Sequence, residues 1–286
     1  MALWRLAIPG TTPRWAVGTT ERLTGLLAPG FRLADLLSGS GPSLRDLQSD
    51  LDEERPPTAR RLAPTDMQPI WAAGVTFDRS RKARKEESNS GDFYDLVYEA
   101  ERPELFLKAL PGDVRGPGDR IGIRTDSTWD VPEPELAVVL NSRGKIAGYA
   151  LANDVSSRSI EGENPLYLPQ AKIYDGSCAL GPCIVPPDEA PDLNDIEMVL
   201  TIRRNEQIFY QDSVRLAEMR RRPSDLADWL FRAQRFPQGV ILLTGTSIVP
   251  EPDFTLEAED LVTIAGAGLG ALENHVERVG VLEQRV

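Results

Sequence analysis

The sequence predicts an α+β protein that is mainly β: a mixed sandwich or rolled sheet behind a small N-terminal α/β unit. Three observations carry this. From residue 66 onward, short apolar runs recur between turn segments such as PGDVRGPGD, NSRGK, LGP and RRNEQ. Only two stretches there read as helices, DRSRKARKEE and PSDLADWLFRAQRF, too few to cover both faces of a doubly wound parallel sheet. The first 65 residues have a different texture, and Pro56 and Pro57 separate them from the rest, giving units of residues 1–65 and 66–286.

Element by element, LWRLAI and RWAV read as short strands. TERLTGLLAPG and RLADLLSGSG carry apolar residues at helical spacing and end in Gly or Pro. SLRDLQSDLDEERPPTARRL reads as an amphipathic helix stopped by the prolines. Ten strands are then expected: PIWAAGVTF, LFLKAL, GIRT, PELAVVLNS, KIAGYALANDV, IEMVLTIRRN, QIFYQDSV, GVILLTGTSIV, DLVTIAGAG and ALENHVERVG. Ser224 is the expected cap of the second helix. There is no repeat or heptad array.

The 286 residues carry a net charge of −12, which disfavours nucleic acid and anionic membranes as partners. An anionic substrate is repelled too unless local cations or a metal reverse the sign. The two cysteines, Cys178 and Cys183, and the single histidine cannot make a zinc site of the usual kind, and they read as buried small residues. His275 lies in a strand-like tail and reads as structural, which removes most histidine-based nucleophilic schemes. No apolar run approaches the ~18 residues of a membrane span, and the N-terminus is broken by Pro9 and Gly10, so a cytoplasmic location is expected.

The chemistry concentrates in DVPEPELAVVL. Side chains of a strand alternate, so Glu133 and Glu135 share a face, roughly 6.6 Å apart along the chain. Pro134 suits a strand start or an edge. Two such carboxylates repel unless one is protonated or a cation lies between them, and a hard cation such as Mg²⁺ takes oxygen ligands. The pair alone is weak: 44 acidic residues in 286 produce an acid-x-acid pattern about seven times by chance. Its bland reading is a solvated edge strand. Asp154, where GKIAGYALANDV meets a loop, and Lys172 in YLPQAKIYDG add context. A partly buried lysine there is a base or the holder of a carboxylate; a surface position is the alternative.

These blocks together resemble a known family. Trp129, Glu133 and Glu135 in WDVPEPELAVV, then GYALANDVSSR with Asp154 and Arg158, then Lys172 and the LGP at Leu180, are similar to the fumarylacetoacetate hydrolase superfamily. GVILLTGT and EAEDLVTIAGAGLGALENHV are similar too, with Glu259-Asp260 where Gly-Asp is usual. The resemblance spans residues 66–286. It implies a mixed β-sandwich roll, an assembly as homodimer or homotetramer, and Mg²⁺ (or Mn²⁺) held by Glu133, Glu135 and Asp154. It further implies Lys172 as the active-site lysine and Arg158 as a loop-ordering partner of a carboxylate. One departure matters: where hydrolases of the superfamily have a water-activating His, the block GVTFDRS has Ser80.

GVTF-x-x-S-R-x-A-R, PELFLK and IEGENPLYLPQAKIYDGSCALGP instead resemble the sugar-acid branch, the 2-keto-3-deoxypentonate dehydratases such as those acting on the arabinonate compound. There Glu104 and Lys172 are the implied proton-transfer pair. The expected activity is elimination of water from a 2-keto-3-deoxy sugar acid through a metal-bound enolate, giving 2-oxoglutarate semialdehyde. The substrate's carboxylate and ketone offer two ligand oxygens, the protein three and water one, which matches the octahedral demand of Mg²⁺. Expected substrate contacts are Thr76, Ser80, Arg81 and Arg84, with Lys85 nearby, and the turn Thr244-Gly245-Thr246, the last by its amides and hydroxyls. Glu161, Glu163 and Asn164 would touch hydroxyls or join residues 78–95 as a lid. The competing expectations are a Mg²⁺-dependent hydrolase or decarboxylase of a diketo acid, and a catalytically inert metal-binding homologue.

Overall fold

The computed structural model describes residues 1–39, 47, 51–53, 59–81, 92–251 and 253–280. Strands of the first third are β1 (Ala2–Ala7), β2 (Arg14–Gly18), β3 (Leu23–Leu27), β4 (Leu51–Glu53), β5 (Arg60–Leu62), β6 (Ile70–Gly74) and β7 (Glu104–Ala109). Next come β8 (Arg120–Arg124), β9 (Asp130–Val131), β10 (Pro134–Leu140), β11 (Ile146–Asp154), β12 (Ser156–Ser157) and β13 (Cys178–Val185). The last are β14 (Glu197–Arg204), β15 (Gln207–Arg215), β16 (Val240–Leu243), β17 (Leu261–Gly266) and β18 (Gly270–Val279). The α-helices are short: α1 (Leu33–Ser38), α2 (Asp92–Glu99), α3 (Arg158–Glu163), α4 (Leu168–Lys172) and α5 (Pro223–Phe231).

Among the described residues, an 11-stranded sheet runs β4-β3-β2-β1-β13-β11-β10-β16-β6-β7, with β5 also on β1. A 5-stranded sheet runs β15-β14-β17-β18-β8, and β9 and β12 form a small third sheet. Pairing is antiparallel except for β16 with β6 and β18 with β8. This is the mainly β, mixed-sheet α+β fold that the strand pattern predicts. Because β1 pairs with β13 at Leu3 and Ile184, the strands of residues 1–65 continue the large sheet.

Burial explains the contrast between PELAVVL and the alternating strands. Leu136, Val138 and Leu140 of β10 pack with Met198, Leu200, Val262 and Ile264 of the smaller sheet. Ala137 and Val139 point the other way and pack with Ala150, Leu180, Ile241 and Leu37. With a core on each face, β10 is apolar throughout and all seven of its residues are buried. By contrast β14 alternates, with one face in the core.

Three local expectations differ from the structure. TERLTGLL forms strand β3, whose Leu26 pairs with Ala16 of β2; pairing overrides the helix-like spacing of Leu23, Leu26 and Leu27. The expected helix before the prolines lies mostly outside the described residues, and its described pieces, Leu51–Glu53 and Arg60–Leu62, are strands. Helix α5 begins with Pro223 at its first position after Arg222, without a side-chain cap, and the Ser224 hydroxyl turns to Asp225. The basic helix after GVTFD is described only through Arg81, so Arg84 and Lys85 lie outside the described residues. Cys178 and Cys183 are buried free thiols, and His275 is exposed on β18. Among the described residues no helix is long and apolar enough to cross a membrane.

Candidate active site

Strands β10 and β11 run antiparallel with Pro134 opposite Asn153 and Glu135 opposite Ala152. The start of one therefore meets the end of the other. The Asp154 N–H donates to the Glu133 carbonyl (2.9 Å), and the Glu133 N–H donates to the Asn153 side chain (3.1 Å). Glu133, Glu135 and Asp154 are all buried, and each offers a carboxylate oxygen within 4.8 Å of the others. The solvated-edge reading of the Glu pair is excluded: β10 lies between β11 and β16 in the interior of the large sheet.

Three cations enter this cluster. Lys172, at the end of α4 and 1% exposed, donates from Nζ to Glu133 Oε2 (2.8 Å), Asp154 Oδ2 (3.3 Å) and Ser156 Oγ (2.5 Å). Arg158 places Nη2 3.0 Å from Glu133 Oε1. Lys108, fully buried on β7, places Nζ 2.5 Å from Asp154 Oδ1. Glu135 is held differently, by the Gly245 N–H at 2.5 Å. Burial, and then the neighbouring charges of Asp154 and Glu133, push the Glu135 carboxyl well above the usual carboxylate range; Lys172 and the Gly245 amide oppose this only in part. A buried oxygen triad under mutual repulsion is a donor set that fits a hard divalent cation.

A cavity opens over this cluster. Glu104, Phe106, Ser80, Glu161, Leu168 and Thr246 line it with the triad and Lys172. Glu104 and Phe106 share a face of β7, so both reach it. The Glu104 side chain fits because Gly74 lies opposite: a Cβ there would meet Glu104 Oε2 at 2.0 Å. The Lys172 ammonium also lies 5.7 Å from the Phe106 ring centroid. Val75 beside it adopts φ +54°, an unusual conformation for a β-branched residue.

Of the other residues singled out in the sequence, Gly245 also lines the cavity, whereas Thr76, Thr244 and Arg81 do not. Thr76 donates its hydroxyl to the Thr244 carbonyl (2.7 Å), and Thr244 donates its own to the Leu136 carbonyl (2.9 Å). Arg81 joins Asp78 and Asp95, each at 2.7 Å, which ties the segment after β6 to α2. The Gly245 amide faces the protein's own Glu135. Two residues that the sequence reading passed over, Lys108 and Ser156, contact the cluster directly. Lys108 was detectable: in PELFLK it follows Glu104 by four, on the same strand face.

The family profile described as fumarylacetoacetate (FAA) hydrolase C-terminal matches residues 79–277. The chain belongs to the fumarylacetoacetate hydrolase family. It is 51% identical over 216 residues to a probable 2-keto-3-deoxyxylonate dehydratase of Haloferax volcanii, covering 76% of this chain and 74% of that protein. It is 42% identical over 237 residues to the 2-dehydro-3-deoxy-D-arabinonate dehydratase of Saccharolobus solfataricus, covering 82% and 80%. A solved structure of 2-keto-3-deoxy-D-arabinonate dehydratase complexed with magnesium and 2,5-dioxopentanoate superposes with a TM-score of 0.82 at 34% identity, over 98% of this chain and 99% of that one.

Proposed function

We propose that this family member is a hydro-lyase that removes water from a 2-keto-3-deoxypentonate and releases 2-oxoglutarate semialdehyde (2,5-dioxopentanoate). The observation that carries the reading is the buried meeting of Glu133, Glu135 and Asp154 beside the Lys172 ammonium, under a cavity that Glu104 also lines. The named dehydratases among its relatives support it. Their two substrate names converge chemically. The 2-oxo and 3-deoxy positions erase the C2 and C3 centres that distinguish arabinonate from xylonate. Only C4 remains, so within one stereochemical series both names describe one compound.

Glu133, Glu135 and Asp154 would hold Mg²⁺, which when bound supplies electrophilic polarisation of the 2-oxo acid. Lys172 Nζ and the Glu104 carboxyl are the proton-transfer pair. One takes a proton from C3, and the other delivers a proton to the departing C4 oxygen. The C3–H and C4–O bonds break, a C3=C4 double bond forms, and water leaves. Removal of a C5 proton and return of a proton to C3 leave an enol across C4 and C5, which becomes the aldehyde. Arg158 orders the start of α3 by holding Glu133. Phe106 and Leu168 give the cavity an apolar wall that limits water. No step needs a water nucleophile, in keeping with a chain whose one histidine is exposed on β18.

The test incubates the protein, with Mg²⁺ or with EDTA, with 2-keto-3-deoxypentonate and with acylpyruvates. Mg²⁺-dependent loss of 18 mass units and appearance of the semialdehyde are expected. Pyruvate released from an acylpyruvate, with the pentonate untouched, would move the protein to the hydrolases.

A further inference from the structure

Strand β7 delivers Glu104 to the cavity and, four residues on, buries Lys108 beneath it. An ammonium has three N–H donors. Lys108 Nζ donates hydrogen bonds to the Val155 carbonyl (2.9 Å) and the Lys172 carbonyl (2.6 Å), and it forms an ion pair with Asp154 Oδ1 (2.5 Å). Lys172 lines the cavity and Lys108 does not, which makes Lys108 no proton-transfer group for substrate. These three partners of Lys108 lie at the end of β11 and at the end of α4. Asp154 is held from both sides, Oδ1 by Lys108 and Oδ2 by Lys172. The same Nζ also holds the backbone of the residue whose side chain enters the cluster.

We propose that Lys108 is a positioning residue. It fixes the rotamer of Asp154 and the backbone of Lys172 together, so that the carboxylate triad is preformed for a divalent cation and the Lys172 ammonium stays in register with it. The proposal rests on the triad as a cation site and, for its kinetic consequence, on the dehydratase reading. A buried cation tying two chain segments to one carboxylate suits this role better than simple charge balance. Both of its hydrogen bonds go to backbone carbonyls, which carry no net charge to neutralise. Outer-layer groups that orient a metal ligand commonly set its affinity by about 10- to 100-fold.

The experiment compares wild type, Lys108→Met, Asp154→Asn and the double variant by calorimetric titration with MgCl₂, which needs no turnover. Lys108→Met keeps the stem volume and removes the donors. Its Mg²⁺ affinity is expected to fall about 10- to 100-fold. The double variant should bind no more weakly than Asp154→Asn alone, because Lys108 acts through that carboxylate. At saturating Mg²⁺ the remaining loss should lie in kcat more than in KM, reflecting the freed Lys172 backbone. Affinity within twofold of wild type, or losses that multiply in the double variant, would overturn the proposal. Should Lys108→Met fail to fold, the double variant, which removes both buried charges, is compared with Asp154→Asn in thermal shift on adding MgCl₂. Equal shifts support the role, and a smaller shift in the double variant refutes it. Wild type that binds Mg²⁺ without turning over the pentonate would remove the dehydratase reading while leaving the affinity comparison intact.

Discussion

The centre of the site and its rim are built on different principles. At the centre, three acids and three cations are buried where β10, β11, β7, α3 and α4 converge; Glu133 and Asp154 pair with the three cations, and Glu135 takes the Gly245 amide. At the rim, Thr76 and Thr244 bond to carbonyls, and Arg81 bonds to Asp78 and Asp95 on a half-exposed surface. The centre is held by strands with a core on either side, so a one-atom change there has nowhere to relax. The rim is held by short segments whose ion pairs are screened by water. Fixed distances belong to the first, and room for adjustment belongs to the ion-paired segment of the second.

Lys172→Met is the hardest test of that division. It removes one of the two groups proposed for proton transfer and is expected to lower kcat about 10²- to 10⁴-fold with the fold retained, by steady-state kinetics and circular dichroism. A residual rate near wild type would move the chemistry away from the centre.

Glu135 tests the electrostatics. Its carboxyl is raised by burial and by Asp154 and Glu133, so protonation there competes with a divalent cation. Mg²⁺ affinity should therefore rise with pH, and calorimetry in buffers of different ionisation enthalpy should detect proton release. Glu135→Gln should remove most of that release and weaken Mg²⁺ binding by about 100-fold or more. Affinity independent of pH would contradict the cause given for the shift.

Asp130, a buried carboxyl at the start of β9, separates burial from the cation cluster. Desolvation is the main cause that raises it from 3.8 to about 6; hydrogen bonds from Ser127 and the backbone, and more distant arginines, oppose the rise. The folded state thus binds this proton more tightly than the unfolded one. Its stabilising contribution is complete below about pH 4 and is lost as pH rises through about 6. Asp130→Asn should raise stability at pH 8 by at most about 3 kcal/mol and leave it unchanged at pH 4, by urea denaturation. An equal gain at both values would point to packing.

Arg81→Ala should have the smallest effect. Its pairs with Asp78 and Asp95 are partly solvated, so kcat should stay within about twofold, and a modest rise in KM would reflect loosening of the segment against α2. A collapse of kcat would place Arg81 at the centre and erase the contrast.

Much of this was legible in the chain. PELAVVL read as a strand, though its place inside the sheet did not show, and Asp154 at the close of GKIAGYALANDV stood where a loop begins. Lys172 was visible because an ammonium among Leu, Pro, Ala and Ile is out of place on a surface. Lys108 is as conspicuous in LFLKAL, but its acceptors, Val155 and Lys172, are backbone carbonyls far along the chain, and carbonyls leave no mark in a sequence. The roles of Thr76 and Thr244 were hidden for the same reason: a hydroxyl at a turn serves a ligand or a carbonyl equally well, and only packing chooses. The Glu259-Asp260 departure has a visible consequence, since Glu259 adopts φ +71°, a region that favours glycine. β3 was misread because Leu23, Leu26 and Leu27 suit a helix until β2 supplies a pairing partner.

By itself the sequence determined which side chains carry charge inside apolar surroundings, and hence the strands, the acid pair and the lysine that the chemistry draws on. That follows because periodicity and desolvation are local properties of the chain. The tertiary structure alone decided which distant groups face one another: Asp154 against Lys108, Glu135 against the Gly245 amide, Arg81 against Asp95. Partner choice depends on antiparallel register and sheet order, and those are set by the burial of the whole molecule.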